Sequence, residues 1–162
     1  TESAFAGNAL LKARALCARA KPGSWIMADD SGLAVDALDG APGVRSARFA
    51  GPGATDADNT RKLLRLLKKT PDPERTAAFV CVVAQVDGAG RAHAFEGRCR
   101  GSIARSPRGA HGFGYDPVFV PDGCGRTFGE LGPGVKDAIS HRARALQAFR
   151  DWVAARHPSG SG

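Results

Sequence analysis

Apolar residues recur at two spacings along the chain, and together the two spacings predict helices and strands that interleave. Helical spacing predicts three helices, at residues 8–21, 58–70 and about 140–157. Short apolar runs predict strands at residues 25–28, 76–86 and 92–99, with a brief one at 117–121. Asp87 and Gly88 begin a hairpin turn between the second and third strands. This order predicts an α/β fold with a mixed sheet and flanking helices.

The composition is that of one folded domain with many tight loops. Of the 162 residues, 43% are hydrophobic and 24% are charged, which is near the average for globular proteins. Glycine and proline number 21 and 10, and both residue types favour turns. We therefore expect a single domain over residues 1–157, followed by a flexible tail over residues 158–162.

The sequence predicts no membrane span, secretion signal or zinc site. Its longest apolar run, Ala77–Ala84, is far shorter than the roughly 20 residues that cross a bilayer. The first residues lack a basic region followed by an apolar core. The four cysteines stand far apart without metal-ligand spacing: Cys17, Cys81, Cys99 and Cys124. A reducing cytoplasm is the simplest setting for such a chain.

The net charge of +7 indicates an anionic partner without identifying it. The basic residues are scattered, and aromatic residues make up only 7% of the chain. That is too few for the stacking surface with which proteins bind single-stranded nucleic acid. An ordinary basic surface is favoured, although a small phosphate-bearing ligand explains the charge equally well. We do not expect nucleic acid as the partner.

Two adjacent carboxylates, Asp29 and Asp30, follow the apolar run at residues 25–28. Open α/β sheets bind ligands at the ends of their strands. Two carboxylates at such an end could hold Mg²⁺, and one of them could orient a water molecule for attack. The alternative is an ordinary turn, which the dipeptide alone favours because Asp, Ser and Gly are common turn residues.

The segment Gly112–Pro117 places two glycines and two aromatic residues in one loop before a predicted strand. Glycines let the backbone approach a ligand closely, and an aromatic ring can cover a base while Asp116 accepts a hydrogen bond from its edge. The alternative is a structural turn in which Phe113 and Tyr115 anchor the core. The loop alone does not decide between the two.

The residues from Lys136 to Arg142 open the last predicted helix. Ser140 is suited to cap that helix, and Lys136, His141 and Arg142 beside a helix N-terminus can bind an anion. In isolation the alternative, a capped helix with a few surface charges, is favoured. The sequence contains no serine-hydrolase elbow, Walker loop or dinucleotide fingerprint, which excludes those three classes of site.

Five motifs occur in a specific order along the chain: Asn8–Arg14, Ala28–Leu33, Gly40–Arg48, Gly112–Pro117 and Ile139–Arg142. In this order they resemble the inosine triphosphate pyrophosphatase family, also called the dITP/XTP diphosphatases. The resemblance covers nearly everything from Phe5 to about Phe149. It implies hydrolysis of ITP, dITP and XTP to the monophosphate and pyrophosphate, which cleanses the nucleotide pool. It also implies Mg²⁺, a homodimer and two lobes around a nucleotide-binding cleft.

The resemblance also implies roles for individual residues. Asp30 matches the general base and metal ligand of the family, and its neighbour Asp29 is the second candidate ligand. Ser31 matches a substrate contact. The other matches are the loop that holds the base (Phe113, Gly114, Tyr115 and Asp116) and three further nucleotide contacts (Lys136, His141 and Arg142).

One part of the family pattern does not occur in this sequence. Family members begin with a strand and a Thr/Ser-Gly-Asn-x-x-Lys loop that grips the triphosphate, and the sequence contains no such motif. We therefore expect residues 1–157 to be a pyrophosphatase domain that is incomplete at its N-terminus. The alternative is a catalytically impaired relative that binds nucleotides without this loop.

Overall fold

A computed structural model of the chain describes residues 2–157, with side chains from residue 4 onward. The described strands are β1 (Ile26–Val35), β2 (Pro42–Gly43), β3 (Thr76–Val86), β4 (Ala92–Ile103) and β5 (Phe119–Pro121). The described helices are α1 (Glu2–Cys17), α2 (Asp56–Leu66), α3 (Phe128–Leu131), α4 (Pro133–Ile139) and α5 (His141–Arg156). The tail predicted at residues 158–162 lies outside the described residues. None of the described helices is long and apolar enough to cross a membrane.

The strands form one sheet in the order β2-β1-β3-β4-β5. All four pairings within the described residues are antiparallel. The predicted α/β class with flanking helices is confirmed, and the sheet of the described residues is antiparallel rather than mixed. The predicted hairpin is also present, with β3 and β4 paired along their whole length from Val86 and Ala92.

Strand β3 is the central strand of the sheet, and every one of its residues after Thr76 is buried. Its side chains alternate between two faces, as strand geometry requires. On one face Val80 and Val82 pack with Phe5 and other apolar residues of α1. On the opposite face Cys81 and Val83 pack against Ala145 of α5. The sheet therefore separates a face covered by α1 from a face covered by α5.

A third apolar cluster surrounds Phe79, near the start of β3. The Phe79 ring lies 4.5 Å from that of Phe119 and 6.2 Å from that of Phe128, measured between ring centroids. Leu63 and Leu67 join this cluster from α2 and the residue after it. The cluster fixes α2, β5 and α3 around the sheet, and these elements carry the loops described below.

Strand β1 is longer than the sequence predicts. The predicted strand ended at residue 28 in a turn over Asp29–Gly32, but these residues continue the strand and pair with Val80–Val83 of β3. The prediction of a turn is therefore wrong. Turn-forming residues extend the strand here because a long neighbouring strand supplies partners for their backbone groups.

The start of α5 lies directly on β4 at Gly97. A Cβ atom at this residue would stand 2.1 Å from the carbonyl oxygen of His141 and 2.2 Å from the backbone nitrogen of Ala145. Only glycine allows such an approach. The predicted cap is present, because the Ser140 Oγ accepts a hydrogen bond from the backbone nitrogen of Ala143 at 3.1 Å. Gly97 and Ser140 together set the position of the first residues of α5.

Candidate active site

A cavity of about 640 Å³ lies on the α5 face of the sheet, between β1, the start of α2, the loop before β5 and the start of α5. Eight of the residues singled out from the sequence line it: Ser31, Phe113, Gly114, Tyr115, Asp116, Lys136, His141 and Arg142. These residues come from three segments that are distant in sequence. The fold brings all of the predicted nucleotide contacts to one site.

The two carboxylates predicted to act as a pair do not line this cavity. The carboxylate of Asp30 points to the α1 face, where the Lys12 Nζ lies 2.6 Å from Oδ1 and the Asn8 Nδ2 lies 3.2 Å from Oδ2. The Lys12 ammonium also donates to the backbone oxygen of Asp29 at 3.0 Å. Asp30 is thus held by two side chains of α1, directly beside cavity residue Ser31 in the chain.

The carboxylate of Asp29 points the other way, toward α5. Its Oδ2 accepts a hydrogen bond from the Arg142 Nη2 at 2.9 Å. This hydrogen bond, together with the charge of Asp29, raises the pKa of Arg142. Asp29 therefore orients an arginine that lines the cavity.

The donor set for a metal ion is small in this structure. No three His, Cys, Asp or Glu side chains within residues 4–157 lie close enough together to hold a metal ion. Mg²⁺ in nucleotide enzymes is often bound by one or two carboxylates together with substrate phosphates. Asp30 fits that description, whereas Asp29 lies on the opposite face and does not complete a two-carboxylate site with it. The assignment of either residue to Mg²⁺ stays a prediction.

The glycine-rich loop is organised by the carboxylate of Asp116, which is 1% exposed. Its Oδ2 accepts from the Lys136 Nζ at 2.5 Å and from the backbone nitrogen of Phe113 at 3.1 Å. A Cβ atom at Gly112 would stand 2.1 Å from the same oxygen, and the φ angle of this glycine is +75°. In this structure the carboxylate that was expected to accept from a base already accepts from two protein donors.

The two aromatic residues of the loop have different environments. Tyr115 is 4% exposed, and its hydroxyl donates to the backbone oxygen of Ser46 at 2.8 Å. Burial raises the pKa of Tyr115. Phe113 is 67% exposed, and the Lys136 Nζ lies 4.1 Å from the centroid of its ring. Tyr115 is the core anchor that the alternative interpretation expected, whereas Phe113 presents its ring at the cavity.

His141 forms part of the cavity wall as a neutral side chain. Its ring stacks on that of Phe79, with the centroids 5.0 Å apart. Burial lowers the pKa of His141 to about 4, so the imidazole is uncharged at neutral pH. Within the described part of the chain, neither its Nδ1 nor the Oγ of Ser31 has a hydrogen-bond partner, although both atoms are buried. Buried polar atoms of this kind are suited to a bound ligand.

The sequence assigns no role in the site to four residues that support it. Asn8 and Lys12 hold Asp30, Ser46 receives Tyr115, and Asp56 accepts from the backbone nitrogen of Gly114 at 2.8 Å. One signal was available: Asn8 and Lys12 are four residues apart, which places them on one face of a helix. The contacts of Ser46 and Asp56 carry no local signal, because each joins segments that are distant in sequence.

Comparison with known proteins supports one family. The sequence model of the Ham1 family matches residues 1–152. A curated relative from Opitutus terrae, named dITP/XTP pyrophosphatase, is 55% identical over 148 residues, which are 91% of this chain and 73% of the relative. One from Bdellovibrio bacteriovorus with the same name is 45% identical over 154 residues, covering 95% of this chain and 77% of the relative.

Solved structures agree with these matches. A dITP/XTP pyrophosphatase from Mycobacterium abscessus superposes with a TM-score of 0.79 at 54% identity, covering 90% of this chain and 73% of its own. The Ham1 protein of Staphylococcus aureus superposes with a TM-score of 0.88 at 38% identity, covering 94% of this chain and 77% of its own. Both the sequence and the fold are therefore shared along most of the chain.

Proposed function

This chain belongs to the Ham1 family, and from that premise we propose that it hydrolyses noncanonical purine nucleoside triphosphates such as ITP, dITP and XTP to the monophosphate and pyrophosphate. Relatives at 45–55% identity carry the name dITP/XTP pyrophosphatase. The observation that carries the proposal for this chain is the single cavity lined by all eight predicted nucleotide contacts.

In the proposed binding mode, the purine occupies the cavity against the exposed ring of Phe113. Offset stacking of aromatic rings supplies affinity without distinguishing one purine from another. Selection comes from donors such as Arg142 and Lys136, which can face the 6-oxo group of hypoxanthine or xanthine. Adenine carries an amino group at that position, so a donor there meets no acceptor, and a fully buried donor left unpaired costs about 1–3 kcal/mol. Guanine shares the 6-oxo group, so its rejection requires a separate contact near the purine 2-position.

Asp30 is the proposed general base. It directly precedes Ser31 in β1, and because its carboxylate faces α1, the phosphates of a nucleotide whose base contacts Ser31 must extend past the edge of the strand to reach it. The carboxylate takes a proton from the water that attacks the α-phosphorus. Lys12 and Asn8 hold its oxygens at fixed positions during this step.

We further propose that the enzyme depends on Mg²⁺, with Asp30 and the substrate phosphates as its ligands. When bound there, Mg²⁺ supplies positive charge that stabilises the departing pyrophosphate. A homodimer and a cytoplasmic location are proposed from the family resemblance alone, and sedimentation equilibrium tests the first of them.

Product analysis in ¹⁸O-labelled water tests the reaction. The proposal predicts IMP and pyrophosphate from ITP, with the label in the IMP, because water attacks the α-phosphorus. Formation of IDP and orthophosphate would contradict it. Tight binding of ITP or IMP without turnover would instead favour a catalytically impaired nucleotide-binding protein.

A further inference from the structure

The orientation of the Phe113 ring depends on the backbone around it. The flanking residues Gly112 and Gly114 have φ angles of +75° and +61°, a region in which glycine moves freely. A Cβ atom at Gly114 would meet nothing within 4 Å, so packing does not restrain the backbone on this side. The ring itself is 67% exposed. The hydrogen bond from the Phe113 nitrogen to Asp116 and the Lys136 ammonium over the ring restrain one side of the loop, and a hydrogen bond from outside the loop restrains the Gly114 side.

Two such hydrogen bonds reach the loop from the same side of the cavity. The backbone nitrogen of Gly114 donates to the Asp56 Oδ2 at 2.8 Å, across 58 residues of chain. The hydroxyl of Tyr115 donates to the backbone oxygen of Ser46. Helix α2 and the segment after Ser46 are tied together by Asn59, whose side chain donates to the Ala47 oxygen at 3.0 Å and accepts from the Ala50 nitrogen at 2.8 Å. Both anchors thus belong to parts of the chain that hydrogen bonds join to each other.

The start of α2 does not need Asp56 as its cap. Thr55 caps the helix, and Asp58 completes a capping box by accepting from the Thr55 backbone nitrogen at 3.0 Å. An acidic residue in the first turn also interacts favourably with the helix dipole, but that interaction requires no particular partner. The carboxylate of Asp56 nevertheless lines the cavity and reaches the loop.

We infer that Asp56 is a positioning residue: its carboxylate fastens Gly114 to α2 and so holds Phe113 where a purine can stack on it. The inference rests on the proposed function, since that function assigns the ring of Phe113 to the base. Asp56 acts through the loop backbone and contacts neither the phosphates nor the attacking water. Its loss therefore weakens contacts with the base and leaves contacts with pyrophosphate intact.

The test compares Asp56→Ala and Asp56→Asn with Asp58→Ala, a control on the same helix that removes the Asp58 half of the capping box and the ion pair with Arg61 but leaves the contact with Gly114. Amide hydrogen exchange of Gly114, followed by NMR, reports the anchor itself. Product inhibition by IMP and by pyrophosphate separates the two ends of the substrate. In Asp56→Ala we expect Gly114 to exchange faster and the inhibition constant of IMP to rise about three- to ten-fold, the value of one hydrogen bond. The inhibition constant of pyrophosphate and kcat stay near those of the unmodified chain.

Asp56→Asn keeps an acceptor oxygen and is expected to restore most of the protection of Gly114. Unchanged exchange at Gly114 in Asp56→Ala would overturn the inference, and so would an equal rise in the inhibition constants of IMP and pyrophosphate. Changes of the same size in Asp58→Ala would also overturn it, because helix stability would then explain both variants. Absence of ITP turnover in the unmodified chain would count against the proposed function, while the exchange of Gly114 would still decide whether Asp56 holds the loop.

Discussion

The carboxylates of Asp29 and Asp30 leave opposite faces of β1, although the two residues are neighbours in the chain. Asp30 is held by Asn8 and Lys12 of α1, whereas Asp29 binds Arg142 of α5 at the edge of the cavity. The side chain of Asp30 is 13% exposed, and that of Asp29 is 44% exposed. The two acids therefore have separate tasks, and their variants are expected to behave differently.

Replacement of Asp30 by Asn is predicted to abolish turnover while the fold remains intact. The amide cannot take a proton from water, and loss of a general base typically costs about 10²–10⁴-fold in rate. Asp29→Asn is the matched control, because it removes a partially exposed pair with Arg142 and leaves Asp30 in place. Steady-state kinetics and thermal unfolding of both variants provide the measurement. Near-normal turnover in Asp30→Asn would overturn the assignment of the general base.

The buried imidazole of His141 is predicted to make stability depend on pH. Its pKa is about 4 in the folded chain, compared with about 6.5 for a histidine in an unfolded chain. Between these values the unfolded state binds more protons, so the free energy of unfolding falls as the pH decreases through this window. At pH 7 this contribution is fully present.

Urea unfolding of the unmodified chain and of His141→Gln, at several values between pH 7 and pH 4, measures this contribution. The unmodified chain should lose up to about 3 kcal/mol more than the variant across that range. Parallel pH profiles would show that His141 is not the group responsible.

Removal of Lys136 is predicted to destabilise the loop through Asp116. The Lys136→Met variant leaves a carboxylate that is 1% exposed without its cation, which costs about 3–5 kcal/mol for a buried pair. Lys136→Met combined with Asp116→Asn should recover part of that loss, since no uncompensated charge remains. A double-mutant cycle in urea measures the coupling between the two residues. Simple additivity of the two single changes would contradict a direct interaction.

Gly97→Ala is predicted to impair the site by displacing the first residues of α5. The added methyl group would meet the backbone of His141 and Ala145, so the helix must shift, at a cost of about 1–3 kcal/mol. The shift also moves Arg142, and we expect the KM for ITP to rise. Gly134→Ala is the control, because a Cβ atom there meets nothing within 4 Å. Equal stability and KM in the two variants would contradict the prediction.

Local sequence signals predicted some elements well. The apolar run of β3 was predicted with its observed bounds, Thr76–Val86, and Ser140 was identified as a cap because capping depends on a few neighbouring residues. The continuation of β1 through Asp29 was not predicted, since it depends on pairing with a strand some 50 residues away. Composition near Asp29 favoured a turn, and the sheet overrode that preference.

Some features of the candidate site are likewise visible in the local sequence, whereas others depend on distant contacts. Each predicted nucleotide contact belongs to a short motif that the sequence displays as a unit, and the fold gathers these motifs around one cavity. The contacts that hold them, such as Tyr115 with Ser46 and Asp56 with Gly114, join separate segments. No periodicity or motif encodes such a contact, so it becomes visible only in the folded chain.

The most direct test of the central claim is the release of pyrophosphate from ITP and XTP, with ATP and GTP as controls, in the presence of Mg²⁺ and after its removal by a chelator. The proposed function predicts turnover of ITP and XTP that requires Mg²⁺, with much slower release from ATP and GTP. Asp30→Asn should be inactive under the same conditions. Equal rates with all four nucleotides, or no pyrophosphate from any of them with the chain folded, would contradict the account.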